Sequence, residues 1–202
     1  MPSSVDTVSI RHVTSNFFFW QGLRWVGPGL SLILVAAGLN ASLPHEWKRP
    51  LLAFALLLGV AGTVVAGKYY RRSFGTARVD PAMHEERTLW KWAVVYPLML
   101  VAMSADIVLR PPIIVSGIVF AAGIEMYRRS TGGGRRHYIV ASALFAMYTF
   151  APLTGIVAPG RDALTWFAAL LGFVYVAGGV MDHLALRRFL AQAGATAHEA
   201  TV

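Results

Sequence analysis

The sequence predicts an all-α, polytopic membrane protein with six transmembrane helices arranged as three hairpins. Its composition is 56% hydrophobic and only 14% charged, and its mean hydropathy of +0.55 is high for a soluble chain. Long apolar runs alternate with short polar segments along the sequence. Basic residues gather where alternate runs end, which is typical of helices that leave a bilayer on its cytoplasmic side.

The apolar runs give the approximate bounds of the helices. We place the six predicted helices at about residues 26–43, 51–68, 92–109, 112–127, 138–157 and 163–181. An N-terminal segment over 1–25 precedes this bundle of residues 26–181, and a cytoplasmic tail over 182–202 follows it. Within the first segment, Ile10–Trp25 mixes aromatic and basic side chains. Such a mixture is expected of an interfacial helix in the headgroup plane; the alternative is a solvated tail that leads into the first helix.

The distribution of Lys and Arg predicts the orientation of the chain. Fourteen of the 18 basic residues fall in the N-terminal segment, the second and fourth loops and the C-terminal end. The other four are Lys48, Arg49, Arg110 and Arg161, in three short loops on the opposite side. Under the positive-inside rule both termini lie in the cytoplasm, so we expect a multi-pass protein of the cell membrane.

A sequence repeat marks the inner ends of two predicted helices. Tyr-Arg-Arg-Ser-x-Gly occurs at residues 70–75 and again, 57 residues later, at 127–132. Aromatic belts and cytoplasmic arginines would give this pattern without duplication, and a threefold repeat of helical hairpins, whose third unit keeps only the two arginines, would also give it. We expect lipid headgroups or a soluble partner to contact Tyr70, Arg71, Arg72, Tyr127, Arg128, Arg129, Arg135, Arg136, Arg187 and Arg188.

Small residues recur at four-residue spacing on several predicted helices. Gly59, Thr63 and Gly67 share one face of the second helix, and Gly117 and Ala121 share one face of the fourth. The sixth helix carries Ala168, Gly172, Gly178 and Gly179. In lipid, helix association depends on close backbone approach, which small side chains permit. We therefore interpret these faces as packing surfaces.

Ionisable residues at membrane depth are candidates for function, because an unpaired charge there is costly. Glu125 lies near the inner end of the fourth helix, where it can pair with an arginine or bind a ligand or proton. Asp106 precedes Arg110 by four residues, a spacing that allows an ion pair. Asp182 and His183 close the sixth helix and can anchor a cytoplasmic network, contribute to a metal site or sense pH. Anchoring is favoured, because one Asp and one His make only half a metal site.

Several kinds of chemistry are excluded or disfavoured. The chain contains no cysteine, which excludes disulfides, thiolate metal sites and cysteine nucleophiles. The basic residues lie at helix ends, so orientation and lipid headgroups explain the net charge of +8 better than direct nucleic-acid binding does. No recognisable catalytic constellation is present, so we expect neither a cofactor nor an enzyme.

Three function classes remain. The first is a non-catalytic membrane partner or sensor that presents its basic face to a soluble cytoplasmic protein, such as a transcription regulator or an ATPase. Short outer loops and the concentration of polar residues inside favour this class. The second is a small transporter or channel, alone or as a homo-oligomer, although few polar residues line the predicted helix centres. The third is an interfacial lipid-modifying enzyme, for which no catalytic residues stand out.

Three stretches, Asn16–Trp25, Tyr69–Gly75 and Gly178–Leu184, carry a resemblance to other proteins. Through them the chain resembles a loosely defined group of uncharacterised bacterial integral proteins of the cell inner membrane. The resemblance spans most of the chain. Such proteins tend to accompany winged-helix-type regulators, so the resemblance implies a partner role and carries no catalytic residue across. It would make the Asp182–His183 end and the Tyr-Arg-Arg turn a docking surface or a ligand-linked switch.

Overall fold

A computed structural model describes residues 21–40, 44–74, 86–130 and 135–199. Across these residues the chain forms six α-helices and no strand, which confirms the all-α class and the number of helices. In chain order they are α1 Leu23–Asn40, α2 His45–Phe74, α3 Glu86–Val108, α4 Val115–Ser130, α5 Arg136–Tyr148 and α6 Arg161–Glu199. The predicted interfacial stretch Ile10–Trp25 lies mostly outside the described residues.

The largest difference from the predicted bounds is in the fifth helix. We predicted a helix over 138–157, but α5 ends at Tyr148 and a 3₁₀ turn follows at Ala151–Thr154. Pro152 lacks the N–H that an α-helix would need there, and Gly155 adopts a φ of +73° that closes the turn. The apolar composition of this stretch concealed the break. In contrast, α6 continues without interruption through residue 182, where we placed the start of the tail.

Helix length bears directly on the predicted membrane spans. Only the segments Glu46–Phe74 of α2 and Asp162–Ala191 of α6 are, among the described residues, long and apolar enough to cross a membrane. α1 and α3 contain shorter apolar stretches. With 16 and 13 residues, α4 and α5 extend only about 24 and 20 Å, against about 30 Å of hydrocarbon. Two spanning helices are consistent with membrane association, and helix length does not confirm an arrangement of six spans.

Consecutive helices run in opposite directions, so their ends collect at two ends of the bundle. At one end, which we call the basic end, Tyr70 near the end of α2 contacts His183, and Arg135 before α5 contacts Asp182. At the opposite end, the N–H of Ile114 before α4 donates to the carbonyl oxygen of Thr149. The C-terminal end of α3 is also there, bonded to the start of α4. The first residues of α6 pack beside them.

α1 lies between α2 and α6 and approaches both through pairs of glycines. A Cβ built on Gly27 would lie 2.8 Å from the Cα of Gly62 on α2. A Cβ on Gly172 of α6 would lie 2.6 Å from the carbonyl oxygen of Gly29. These backbones are therefore nearly in contact, as expected where dispersion between helices drives association. The predicted packing role of Gly172 is confirmed, but its main partner is α1.

Aromatic side chains join α4 and α5 to α6, nearer the end of the bundle opposite the basic end. Phe120 of α4, Phe145 of α5 and Phe167 of α6 are buried together, with ring centroids 4.7 to 5.4 Å apart. Gly117 of α4 allows this approach, because a Cβ there would lie 2.9 Å from the Phe145 carbonyl oxygen. α6 is therefore the element shared by the α1–α2 side and the α3–α5 side of the molecule.

The glycine contacts predict a position-specific effect on stability. Gly172→Ala should lower the free energy of unfolding by about 1–3 kcal/mol, because its Cβ must displace backbone atoms of α1. Gly178→Ala is the matched control six residues along the same helix, where the nearest atom to a new Cβ is His137 Cδ2 at 3.9 Å. It should be neutral or stabilising, since Ala has the higher helix propensity. Chemical unfolding of both variants in detergent measures the difference; equal effects would contradict the close-packing account.

Candidate functional site

The most conspicuous polar feature is a buried network at the basic end, built around Asp182 in α6. The residue is 1% exposed. Its Oδ2 accepts hydrogen bonds from the Tyr138 hydroxyl at 2.7 Å and from Arg135 Nη1 at 3.2 Å, and its Oδ1 lies 3.2 Å from His137 Nε2. We call these four residues, Arg135, His137, Tyr138 and Asp182, the Asp182 network. A carboxylate removed from water in this way needs such partners, because desolvation costs several kcal/mol.

The helices position the network through their ends. Arg135 precedes the first residue of α5, and His137 and Tyr138 lie in its first turn. Asp182 sits in the middle of the long helix α6, at the level where the carbonyl of Gly22 approaches α6. The network therefore connects the start of α5 to α6. The described aromatic cluster between these two helices lies toward the other end of the bundle.

The neighbouring His183 faces the opposite way. Its Nδ1 lies 3.0 Å from the Tyr70 hydroxyl, and that hydroxyl oxygen accepts a hydrogen bond from the Leu23 N–H at 3.2 Å. Which of the two groups donates in the Tyr70–His183 hydrogen bond depends on the histidine tautomer. Tyr70 is fully buried against Leu186. The Asp182–His183 dipeptide thus connects α6 to α5 through one side chain and to α1 and α2 through the next.

The two tyrosines of the sequence repeat both lie at this dipeptide. Tyr70 reaches His183 directly. Tyr127 packs edge-on against the ring of Tyr138, with centroids 5.1 Å apart, and Tyr138 donates to Asp182. Two motifs that the sequence presents separately therefore form one structural unit. This arrangement supports the anchoring interpretation of Asp182 and His183.

Glu125 pairs locally, as one of its two interpretations predicted. Its carboxylate accepts hydrogen bonds from Arg128 Nε and Nη2 and from Arg129 Nε, all at 2.7 Å. All three residues lie in the last turns of α4. With these bonds satisfied, Glu125 acts as the acidic member of an i,i+3 and i,i+4 cluster at a helix end.

Asp106 does not use the partner that its sequence spacing suggested. It accepts hydrogen bonds from the backbone N–H groups of Val115 at 2.7 Å and Ser116 at 2.9 Å. It therefore caps the N-terminus of α4 from the end of α3, which satisfies two otherwise unbonded donors. Arg110 instead lies beside Gly160 in a backbone conformation with φ +47°. The i,i+4 spacing could not reveal a cap that depends on the turn between two helices.

The predicted docking residues divide into buried, half-buried and exposed groups, and Tyr127 and Arg128 form the half-buried one. Tyr70 and Arg135 are buried and hold the bundle together. Arg71, Arg72, Arg129, Arg136, Arg187 and Arg188 are exposed at the basic end. Sequence reasoning did not include His137 and Tyr138 among the candidate residues. Their position just after Arg135 and Arg136 was the available signal, but nothing local indicated that they would meet a residue more than 40 positions away. Among the described residues, no group of three or more His, Asp and Glu is placed to hold a metal ion.

The bonds to Tyr70 predict a contrast between adjacent tyrosines. Tyr70→Phe removes a hydroxyl that serves both Leu23 N–H and His183 Nδ1, so the free energy of unfolding should fall by about 1–3 kcal/mol. Tyr69→Phe is the matched control, because the Tyr69 ring is partly exposed and contacts its neighbours by ring edges. It should change stability by less than about 0.5 kcal/mol. Unfolding curves for both variants test this, and similar losses would show that the Tyr70 hydroxyl has no special role.

Comparison with known proteins adds no family to this description. No protein-family model, no curated protein and no solved structure matches the chain. The resemblance to bacterial membrane proteins therefore depends only on the sequence stretches given above. Function has to be argued from the arrangement of this chain's own residues.

Proposed function

We propose that the protein spans the cell membrane six times with its basic end in the cytoplasm, and that it acts there as a non-catalytic partner of a soluble protein. The observation that carries the proposal is the segregation of the chain's charge. Exposed arginines from α2, α4, α5 and α6 collect at one end of the bundle, while the helix walls between the ends are apolar. The positive-inside rule relates such an end to the cytoplasm.

The exposed walls support insertion in lipid. Large apolar side chains point outward along several helices, and many are more than half exposed. They include Leu56, Leu57, Val60 and Val65 of α2, Leu100, Val101 and Val108 of α3, and Phe173 of α6. Water-soluble monomers rarely expose contiguous apolar surface of this extent. The alternating helix directions are those of a bundle that crosses a bilayer repeatedly, with the shorter α4 and α5 accommodated by local thinning or by their polar ends.

The charge at the basic end supports a partner with an acidic surface. The described acidic side chains there, Glu125 and Asp182, are already bonded within the protein. Arg129 keeps 76% of its side chain exposed even while it contacts Glu125. Arg187 and Arg188 lie on the part of α6 that continues beyond the Asp182 network. A soluble protein with complementary negative potential would be steered to this surface.

The interior favours this role over transport. Phe120, Phe145 and Phe167 pack toward the Asp106 end, and the apolar side chains of Ile124, Leu170, Leu171 and Val174 extend this cluster toward Asp182. A transport path would be expected to bring polar groups to the midplane. Asp182 is also enclosed, which favours a structural use over contact with a substrate. The small transporter and the interfacial enzyme remain the second and third candidates, with no feature of the geometry in their favour.

Topology is testable with single cysteines, because the chain has none of its own. A membrane-impermeant maleimide added to intact cells should label Ala158→Cys and Pro112→Cys and leave Ser73→Cys unlabelled. Inverted vesicles should give the reverse pattern, because residue 73 lies at the basic end of the bundle and residues 112 and 158 lie at the other. Labelling of residues 73 and 158 from the same side would contradict the proposed orientation.

Partner binding should depend on the basic end alone. The test is to crosslink native membranes gently, purify the tagged protein in mild detergent, and measure the affinity of any stoichiometric soluble protein. Arg187→Glu with Arg188→Glu should weaken that affinity by at least about tenfold, since charge reversal turns attraction into repulsion.

A second adjacent basic pair serves as the control. Lys48→Glu with Arg49→Glu changes the same amount of charge at the opposite end of the bundle. This variant should bind normally. Equal weakening by the two variants, or recovery of the protein without any soluble companion, would contradict the partner role.

A further inference from the structure

An outward-facing groove separates α1 from α2 on the membrane side of the basic end. Its volume is about 500 Å³, and Pro28, Leu32, Leu56, Gly59, Val60 and Val64 are among the residues that line it. Gly59 forms part of the floor of the groove, where α1 and α2 cross. A Cβ on this residue would lie 3.2 Å from Ser31 Cβ, so the absence of a side chain keeps this space open. Leu56 and Val60 are each 66% exposed along its rim. The groove is shallow and open to the surroundings of the bundle.

The walls of the groove suit a hydrocarbon chain. Thr63, which also lines it, directs its hydroxyl into the helix, where it donates to the Gly59 carbonyl oxygen at 2.9 Å. The polar atom is thereby satisfied by backbone, and apart from Ser31 the remaining lining is aliphatic or glycine. An apolar occupant would lose no hydrogen bond on entering, whereas a polar occupant would find few partners.

The rows of side chains that form the groove end in basic residues. Along α2, the row Leu56, Val60 and Val64 continues at four-residue spacing to Lys68 and Arg72. The parallel row Gly59, Thr63 and Gly67 continues to Arg71. On α1, the row Pro28 and Leu32 begins one turn earlier at Arg24. Each four-residue step shifts a side chain by about 40° around the helix, so Arg71 and Lys68 lie one turn beyond the groove toward the basic end, and Arg72 follows on the adjoining side of the same turn of α2.

Two guanidinium groups at this mouth lie against the same glycine. Arg71 Nε donates to the Gly67 carbonyl oxygen at 3.4 Å, and Arg24 Nη2 lies 3.4 Å from the position of a Gly67 Cβ. No described acidic side chain pairs with Lys68, Arg71 or Arg72, since Glu125 and Asp182 are bonded to arginines of α4 and of the segment before α5. Adjacent cations of this kind are stabilised by an anion between them, and guanidinium groups match phosphate oxygens well.

We propose that this place binds one anionic phospholipid. The headgroup phosphate contacts Lys68, Arg71 and Arg72, and one acyl chain lies in the α1–α2 groove. The cations at the mouth fit the headgroup phosphate, and the apolar groove beside them fits an acyl chain. The headgroup and acyl chains of a lipid follow the same order from a membrane surface inward. This inference rests on membrane insertion as proposed above, and it is independent of whether a soluble partner exists.

The test uses purified protein in detergent with an equimolar mixture of phosphatidylglycerol and phosphatidylcholine that share the same acyl chains. Native mass spectrometry should show one bound lipid per chain, with phosphatidylglycerol preferred. Neutralising Lys68, Arg71 and Arg72 together to Gln should reduce that preference at least about tenfold, given the attraction of each basic residue near an anionic surface. Val60→Trp, which fills the groove, should reduce the binding of both lipids.

Matched controls make the outcome specific. Arg187→Gln with Arg188→Gln removes charge from the same end of the bundle, and Val65→Trp adds an indole at a similarly exposed position that does not line the groove. Both controls should bind phosphatidylglycerol as the unmodified chain does. Glycerol 3-phosphate, which has the phosphate without the chains, should not displace the lipid; displacement would indicate a site for free phosphate.

Two other results would overturn the lipid site. The first is undiminished phosphatidylglycerol binding by both the triple Gln variant and Val60→Trp. The second is a dimer that Val60→Trp dissociates, which would show that a second copy occupies the groove. Cysteine labelling measures insertion separately, so correct topology without selective lipid binding would overturn this inference alone.

Discussion

The bundle depends on one buried carboxylate. Asp182 is enclosed at the level where α1 approaches α6, and its charge is balanced by Arg135, which is itself only 6% exposed. Removing either partner would leave the other as an uncompensated buried charge. This destabilises a protein far more than replacing both partners by apolar side chains does. Because the aromatic contacts between α5 and α6 lie toward the opposite end of the bundle, this ion pair holds the start of α5 against α6.

Part of this arrangement could be predicted from the sequence and part could not, and the difference lies in the range of the interactions. Glu125 and its arginines are three and four residues apart on one helix, so their pairing follows from helical periodicity. Asp182 was recognisable as an unusual polar residue in an apolar stretch. Its partners were not recognisable, because they lie 44 to 47 residues earlier in the sequence. They contact Asp182 only when α5 packs against α6 in one particular rotation about its own axis.

The same distinction applies to the helix bounds. Hydropathy merges helix and turn whenever both are apolar, so it extended the fifth helix across Pro152 and Gly155, where the backbone requires a 3₁₀ turn. Asp106 shows the related limit for polar residues. Its cap on α4 satisfies two backbone donors across a six-residue connection, and only the geometry of that connection selects the cap over a pair with Arg110. Number, class and approximate position of the helices were accessible, whereas the contacts between helices were not.

The role of each basic residue follows from its surroundings rather than from the overall charge. A pI near 10.3 would by itself suggest a polyanion as partner. Arg135, however, is paired with the buried carboxylate of Asp182, and Arg128 is paired with Glu125 on its own helix. Lys68, Arg71 and Arg72 follow the outward-facing apolar groove between α1 and α2 by one turn of α2, and they carry the proposal of a bound anionic lipid. Arg187 and Arg188 lie beyond the buried network on a helix that continues to Glu199, and in the proposed function they meet the soluble protein. Under the proposals made above, the basic end would serve structure, lipid and partner with three separate sets of cations.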